Sequence, residues 1–132
     1  MRTETVDGVT VLIPRDDHLD ASNRDDFRAS LEAAIDRAAA EGKRQFVLDL
    51  MNVRFVDSSG LGVMMAALRR LRGSDCDMVA CNIAKPVKVL FDLVRLDRVM
   101  SVYADRAAAV ASYAASAPGA DGAGGAGGAG GA

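Results

Sequence analysis

Asp57, Ser58 and Ser59 set a carboxylate and two hydroxyls side by side, immediately ahead of Gly60-Leu61-Gly62. The run before them, Gln45 to Leu50, reads as a buried strand, and the run after them repeats apolar residues at helical spacing. The triplet therefore opens a helix, where the first backbone N–H groups have no partner within the helix and the dipole is positive. A phosphate there would meet donors and a favourable field, so a serine at this point can act as a charge switch. Asp and Ser are also the preferred residues for capping a helix start, and these side chains can fill that role too. The two roles are compatible. A capping serine stays open to a kinase, and phosphorylation adds about −1.5 to −2 of charge. A partner packed against the helix end, above all an acidic one, would be repelled. A clash of about 3 kcal/mol weakens binding roughly a hundredfold, enough for a switch.

Catalytic chemistry is poorly supplied. V-D-S-S-G-L is not the G-x-S-x-G elbow of serine hydrolases. The single histidine, His18, lies in the polar stretch Arg15-Asp16-Asp17-His18-Leu19-Asp20, and nothing in the sequence aims it at Ser59 as a triad requires. Asp16, Asp17 and Asp20 offer oxygen ligands of the kind Mg²⁺ takes, but three acids in a surface loop read first as a turn and a helix entrance. Gly60-Leu61-Gly62 lies inside its helix and does not form G-x-G-x-x-G, which argues against a dinucleotide site. Cys76 and Cys81 flank a strand-like segment at a spacing unlike a zinc knuckle; they are expected as reduced thiols, Cys81 in the core. No metal, no cofactor and no enzymatic activity are expected.

The elements that would position the triplet are legible around it. Glu4-Thr5-Val6 and Val9-Thr10-Val11-Leu12-Ile13 are β-branched runs joined by Asp7-Gly8, a strong hairpin signal, and Pro14 closes the second. A first helix is predicted from about Ala21 to Glu41, with Ser22 or a neighbour as cap, Gly42 past its end, and Phe27, Leu31, Ala34, Ile35 and Ala38 on its buried face. Phe46 to Leu50 is nearly continuous in apolar character, as in a central strand covered on both faces. The second helix is predicted from about Ser58 to Leu71, with Leu61, Met64, Met65, Leu68 and Leu71 inward and Gly73 ending it. Arg69, Arg70 and Arg72 in its last turn complement the dipole and read as a solvated helix end. Met78 to Ile83 is a further strand. Pro86 starts a third helix with Val87, Leu90, Phe91 and Val94 as its stripe. Val99 to Tyr103 is a short last strand, and Asp105 caps a final Ala-rich helix through Val110 and Tyr113. Strand–helix alternation behind a hairpin predicts a single α/β domain, a mixed sheet of about five strands with about four helices packed on it.

The chain's 132 residues, half of them hydrophobic, suit one compact domain, placed at residues 1–116. Residues 117–132, a Gly/Ala-rich run, cannot bury enough surface to offset ordering and are expected to form a disordered tail. A net charge of −2 gives no electrostatic reason for nucleic acid or an anionic membrane as partner. No apolar run approaches the roughly 20 residues of a membrane span, and Met1-Arg2-Thr3-Glu4-Thr5 lacks the apolar segment of a signal peptide, so the expected location is the cytoplasm.

The segment F-V-L-D-L-M-N-V-R-F-V-D-S-S-G-L-G, Phe46 to Gly62, closely resembles the signature of STAS-domain anti-sigma factor antagonists. The resemblance extends from about Thr3 to Ala115, with Leu19-Asp20 before the first helix and Leu96-Asp97-Arg98-Val99 after the third. It implies a STAS-like fold and a partner-switching cycle. The unphosphorylated protein would bind a GHKL-type serine kinase that doubles as an anti-sigma factor, freeing the sigma factor. Phosphorylation would release the antagonist, and a PP2C-type phosphatase would reset it. The family's acceptor maps to Ser59, with Ser58 as the second candidate; physics alone does not separate them. Asp57 maps to the acid that shapes the site and Asp20 to an acid near the partner surface. Gly60, Leu61 and Gly62 complete the motif, the last two matching its hydrophobic, close-packing part. Asp75-Cys76-Asp77 replaces a glycine-rich turn of the family and Val94-Arg95-Leu96 a T-G-L-like triplet; neither touches the acceptor, and Arg95, altering the partner-facing edge, points to a divergent kinase. A monomer or weak dimer fits this role. STAS domains also serve as accessory parts of membrane transporters and as scaffolds of stress-signalling complexes, and these are the competing roles.

Overall fold

The computed structural model describes residues 1–115; the Gly/Ala-rich segment 117–132 lies outside the described residues. Strands β1 (Arg2–Val6) and β2 (Val9–Ile13) form the expected antiparallel hairpin. Asp7 at φ 51° and Gly8 at φ 80° make the turn, the positive values that a tight two-residue hairpin demands. The chain continues through β3 (His18–Leu19), α1 (Arg24–Ala40), β4 (Gln45–Asp49), β5 (Phe55–Val56) and α2 (Ser58–Arg72). It then forms β6 (Asp77–Cys81), α3 (Lys85–Leu93), a 3₁₀ turn (Leu96–Arg98), β7 (Val102–Tyr103) and α4 (Arg106–Ala115).

The main sheet runs in the order β1-β2-β4-β6-β7, parallel everywhere except at the β1–β2 edge. The continuous apolar run of β4 has its reason here: both faces are covered. Phe46 and Leu48, with Leu12, Met78 and Ala80, meet Leu31 and Ile35 of α1, Met64 and Leu68 of α2, and Phe91 of α3. Val47, with Val11, Ile13, Val79 and Cys81, meets Ala109, Val110 and Tyr113 of α4. The Tyr113 hydroxyl donates to the Phe46 carbonyl at 2.9 Å, so its polar end is satisfied within that core. Desolvation pushes the buried Cys81 thiol up to about 12, leaving it a small apolar residue.

Several boundaries differ from the sequence expectation. Helix α1 starts at Arg24, because Asp20 to Asn23 are spent on a turn of their own. The Ser22 hydroxyl and N–H both donate to Asp20 Oδ1, at 2.5 and 2.9 Å, so Ser22 does not cap the helix. Asn23 holds the cap position but makes no side-chain cap bond; its amide receives Asp20 N–H at 2.9 Å and donates to the His18 carbonyl at 2.8 Å. Met65 is only partly buried, with Gly60 and Ala67 joining the inner face of α2 in its place. Val94, assigned to the stripe of α3, is exposed. The last strand is shorter than expected, since Val99 N–H and Met100 N–H both donate to the Leu96 carbonyl, at 3.0 and 2.9 Å, as the end of the 3₁₀ turn, and buried Met100 anchors the approach to β7. Asp105 does cap α4, accepting from Ala108 N–H at 2.8 Å.

Candidate functional site: the turn entering the second helix

A small ladder builds the site. His18 and Leu19 of β3 pair in parallel with Phe55 and Val56 of β5, outside the main sheet. Arg54 N–H donates to the Asp17 carbonyl at 2.7 Å and Asp57 N–H to the Leu19 carbonyl at 3.2 Å, closing the two ends of the ladder. The entrance of α1 is thereby fixed against the entrance of α2, and Asp20 is brought beside Asp57.

Asp57 then locks the junction. Its Oδ1 accepts from Ser59 N–H at 2.8 Å and Gly60 N–H at 3.2 Å, an N-cap on α2. Its Oδ2 accepts from Ala21 N–H at 3.2 Å, tying the loop before α1 to the same carboxylate. Two of the donors that the sequence suggested were open to a phosphate, Ser59 N–H and Gly60 N–H, are therefore already engaged by Asp57. The hydroxyls remain: Ser58 is exposed and Ser59 half-buried. The Asp20 carboxyl is held below the usual carboxylate range, chiefly by the Ser22 hydroxyl and against the effect of burial.

The glycines of the motif divide. A Cβ on Gly60 would overlap the Leu19 carbonyl oxygen and lie 3.0 Å from the Leu19 Cβ, so the ladder can seat on α2 only where position 60 has no side chain. Close packing belongs to Gly60; a Cβ on Gly62 would meet nothing within 4 Å. Leu61 is buried at 5% exposure and anchors the helix from below, out of a partner's reach. His18 pairs with Asp17 at 2.9 Å.

Two depressions flank the turn, and neither was legible in the sequence. On one side a cleft of about 340 Å³ is walled by Arg24 and Arg28 of α1 and by Ser58, Ser59, Gly62, Val63 and Ala66 of α2. On the other, Phe55, Val56, Pro86, Val89, Leu90 and Leu93 line a groove of about 270 Å³. Phe55, Val89 and Leu93 are 54%, 58% and 74% exposed, a cluster of large apolar surface beside the turn. The one available signal was that Val89 and Leu93 fall off the inner stripe of α3 while remaining apolar.

A second carboxylate cluster lies away from the turn. Asp49, at the end of β4, is fully buried and accepts from Arg106 Nε at 2.9 Å, Asn82 Nδ2 at 3.0 Å and Met51 N–H at 3.1 Å. Arg106 also meets Glu4 at 2.6 Å, so β1, β4 and α4 converge on one network. Among the described residues, no helix is long and apolar enough to cross a membrane.

Comparison with known proteins agrees with this architecture. The family model "STAS domain" matches residues 1–109. The anti-sigma F factor antagonist of Paenibacillus polymyxa is 34% identical over 92 residues, 70% of this chain and 76% of that protein. Among solved structures, a Thermotoga maritima protein described as an anti-sigma factor antagonist superposes with a TM-score of 0.72 at 23% identity, covering 84% of this chain and 92% of that one. The anti-sigma factor antagonist SpoIIAA in its unphosphorylated form and the Bacillus cell fate determinant SpoIIAA in its phosphorylated form give TM-scores of 0.60 and 0.56 at 18% and 21% identity, covering 86% and 84% of this chain and 96% and 97% of their own. The same fold recurs in the murine anion transporter Slc26a9, with a TM-score of 0.71 at 20% identity over 85% of this chain and 18% of the transporter. A mixed sheet with an opening hairpin, the D-S-S-G-L-G turn and these relatives agree: the chain belongs to the family of STAS-domain anti-sigma factor antagonists.

Proposed function

We propose that the turn from Asp57 to Ser59 is a phosphorylation switch. The unphosphorylated protein binds an anti-sigma factor that is also a GHKL-type serine kinase, and so releases a sigma factor. Phosphate on Ser59 ends that complex, and a PP2C-type phosphatase removes it. The protein itself is a regulatory binding module and not an enzyme, acting in the cytoplasm as a monomer or weak dimer through residues 1–116.

The observation carrying this reading is the division of labour at the helix start. Asp57 takes the backbone donors, which leaves the serine hydroxyls without a structural task in the cap. A phosphate there keeps its charge at the surface, where a docked partner would feel it. Asp20 and Asp57, joined through the Ala21 loop, shape one rim of that surface. The exposed apolar groove at Phe55, Val89 and Leu93 supplies contact area beside the charge that switches.

The test is affinity capture with wild type, Ser59→Ala and Ser59→Asp from a lysate of the source cell, with captured proteins identified by mass spectrometry. Recovery of a GHKL-type kinase by the first two forms and not by Ser59→Asp is the expected result. Equal recovery by all three would overturn the switch. Recovery of transporter subunits would instead favour an accessory role, the context in which this fold occurs in the murine transporter.

A further inference from the structure

With Ser59 N–H and Gly60 N–H held by Asp57, a phosphate on Ser59 needs a receptor other than the helix end. The cleft beside it supplies one. Arg24 and Arg28 lie one helical turn apart on α1, so both project from the same face, and both line the cleft that Ser58 and Ser59 line from α2. We propose that Arg24 and Arg28 form a phosphoserine receptor: once Ser59 is phosphorylated, its phosphate turns into the α1–α2 cleft and is held by the two guanidinium groups. This rests on the reading of Ser59 as the acceptor.

The arginines are free enough to respond. Arg28 contacts Asp25 Oδ1 at 3.1 Å and Arg24 contacts the same oxygen at 3.6 Å, with side chains 49% and 51% exposed. Two cations thus share one carboxylate, and exposed pairs of this kind contribute only about 0–1 kcal/mol. A phosphate dianion offers three acceptor oxygens and matches guanidinium geometry in a bidentate fashion, which Asp25 cannot do for both arginines at once. The neighbouring acid Asp26 lines a different cavity and does not compete for them. Gly62 contributes no side chain to the cleft, and a Cβ there would meet nothing, so room for the phosphate is present without any backbone shift.

The receptor changes what phosphorylation does. It adds negative charge and at the same time withdraws two cations from the surface offered to an acidic partner. Both changes act against the same complex.

The experiment installs phosphoserine at position 59 by genetic code expansion in the full chain, so that no kinase is needed, and titrates it by ³¹P NMR. Free phosphoserine loses its second proton near pH 6. In the wild-type background that value should fall by about one unit, as flanking cations dictate, and in Arg24→Gln/Arg28→Gln it should return to about 6 or rise above it. Arg24→Lys/Arg28→Lys, which keeps charge but loses the forked geometry, should lie between. Equal values in wild type and the glutamine variant would overturn the receptor, as would a response only when phosphoserine is placed at position 58. Thermal melts of the unphosphorylated variants check that each folds. Since the phosphate is built in, failure here leaves the partner-capture result standing, and failure of capture leaves this one standing.

Discussion

Asp49 and Asp57 begin from the same local device and end in different trades. Each follows or closes a strand, and each accepts the N–H of the residue two positions on, Met51 at 3.1 Å and Ser59 at 2.8 Å. Asp49 is fully buried, and its remaining contacts are the Arg106 guanidinium and the Asn82 amide. Asp57 is half-buried, and every recorded partner is a neutral backbone N–H. A buried carboxylate must be matched by a cation and further donors to be tolerated, so Asp49 is committed to the fold. A carboxylate at the surface needs no counter-charge, so Asp57 can shape a turn that stays open to other molecules.

The largest expected effect tests that contrast. Asp49→Ala removes the acceptor of the Asn82 amide and one of the two carboxylates on Arg106, Glu4 keeping the other contact, and should cost about 2–4 kcal/mol in chemical denaturation, since charge-assisted hydrogen bonds to a fully buried group are lost. Asp57→Ala should cost about 1 kcal/mol, the worth of an N-cap. Similar losses for the two would break the comparison. A middle-sized effect separates the glycines. Gly60→Ala forces a Cβ into the Leu19 backbone and should lose about 1–3 kcal/mol. Gly62→Ala adds a methyl to open space in a helix and should gain roughly 0.5–1 kcal/mol. Thermal melts of the two variants, read side by side, would show the opposite signs.

The smallest effect concerns the exposed pair at the ladder. The bond to Asp17 raises the His18 pKa, against desolvation, and the same bond lowers that of Asp17. The histidine contribution is complete below its ordinary value of about 6.5 and is lost as pH rises through the raised one. The Asp17 contribution is present above the usual carboxylate range and is lost as pH falls through the lowered value. The pair therefore helps between the lowered Asp17 value and the raised His18 value and is lost as pH passes either one. An NMR titration of the single histidine should show a raised value that drops in Asp17→Asn; no change would remove Asp17 as the cause.

What the sequence disclosed was local. The Asp7-Gly8 turn, the buried β4 run, Pro86 in the first turn of α3 and the Asp105 cap each depend on a few consecutive residues. What it hid was contact between distant segments. Two residues of β3 pairing with two of β5 leave no periodic signal, yet that ladder sets Asp20 against Asp57. Gly60 and Gly62 look alike in the motif, and only the passage of Leu19 over one of them tells them apart. Arg24 and Arg28 resemble any solvated helix face until α2 is laid beside them. Ser22 had the right chemistry for a cap and was diverted by a carboxylate two positions earlier, the usual competition between side-chain turns and helix starts.

The saturation of Asp57 also bears on time. Since the Ser59, Gly60 and Leu61 N–H groups already have their partner in Asp57, a phosphate on Ser59, as the proposed switch requires, would offer that turn no better arrangement. Under the proposed switch no segment would have to melt or refold before the new surface existed. Such a device would have no conformational lag of its own, so its response would keep pace with the enzymes that write and erase the mark, and its memory would last only as long as the phosphoester.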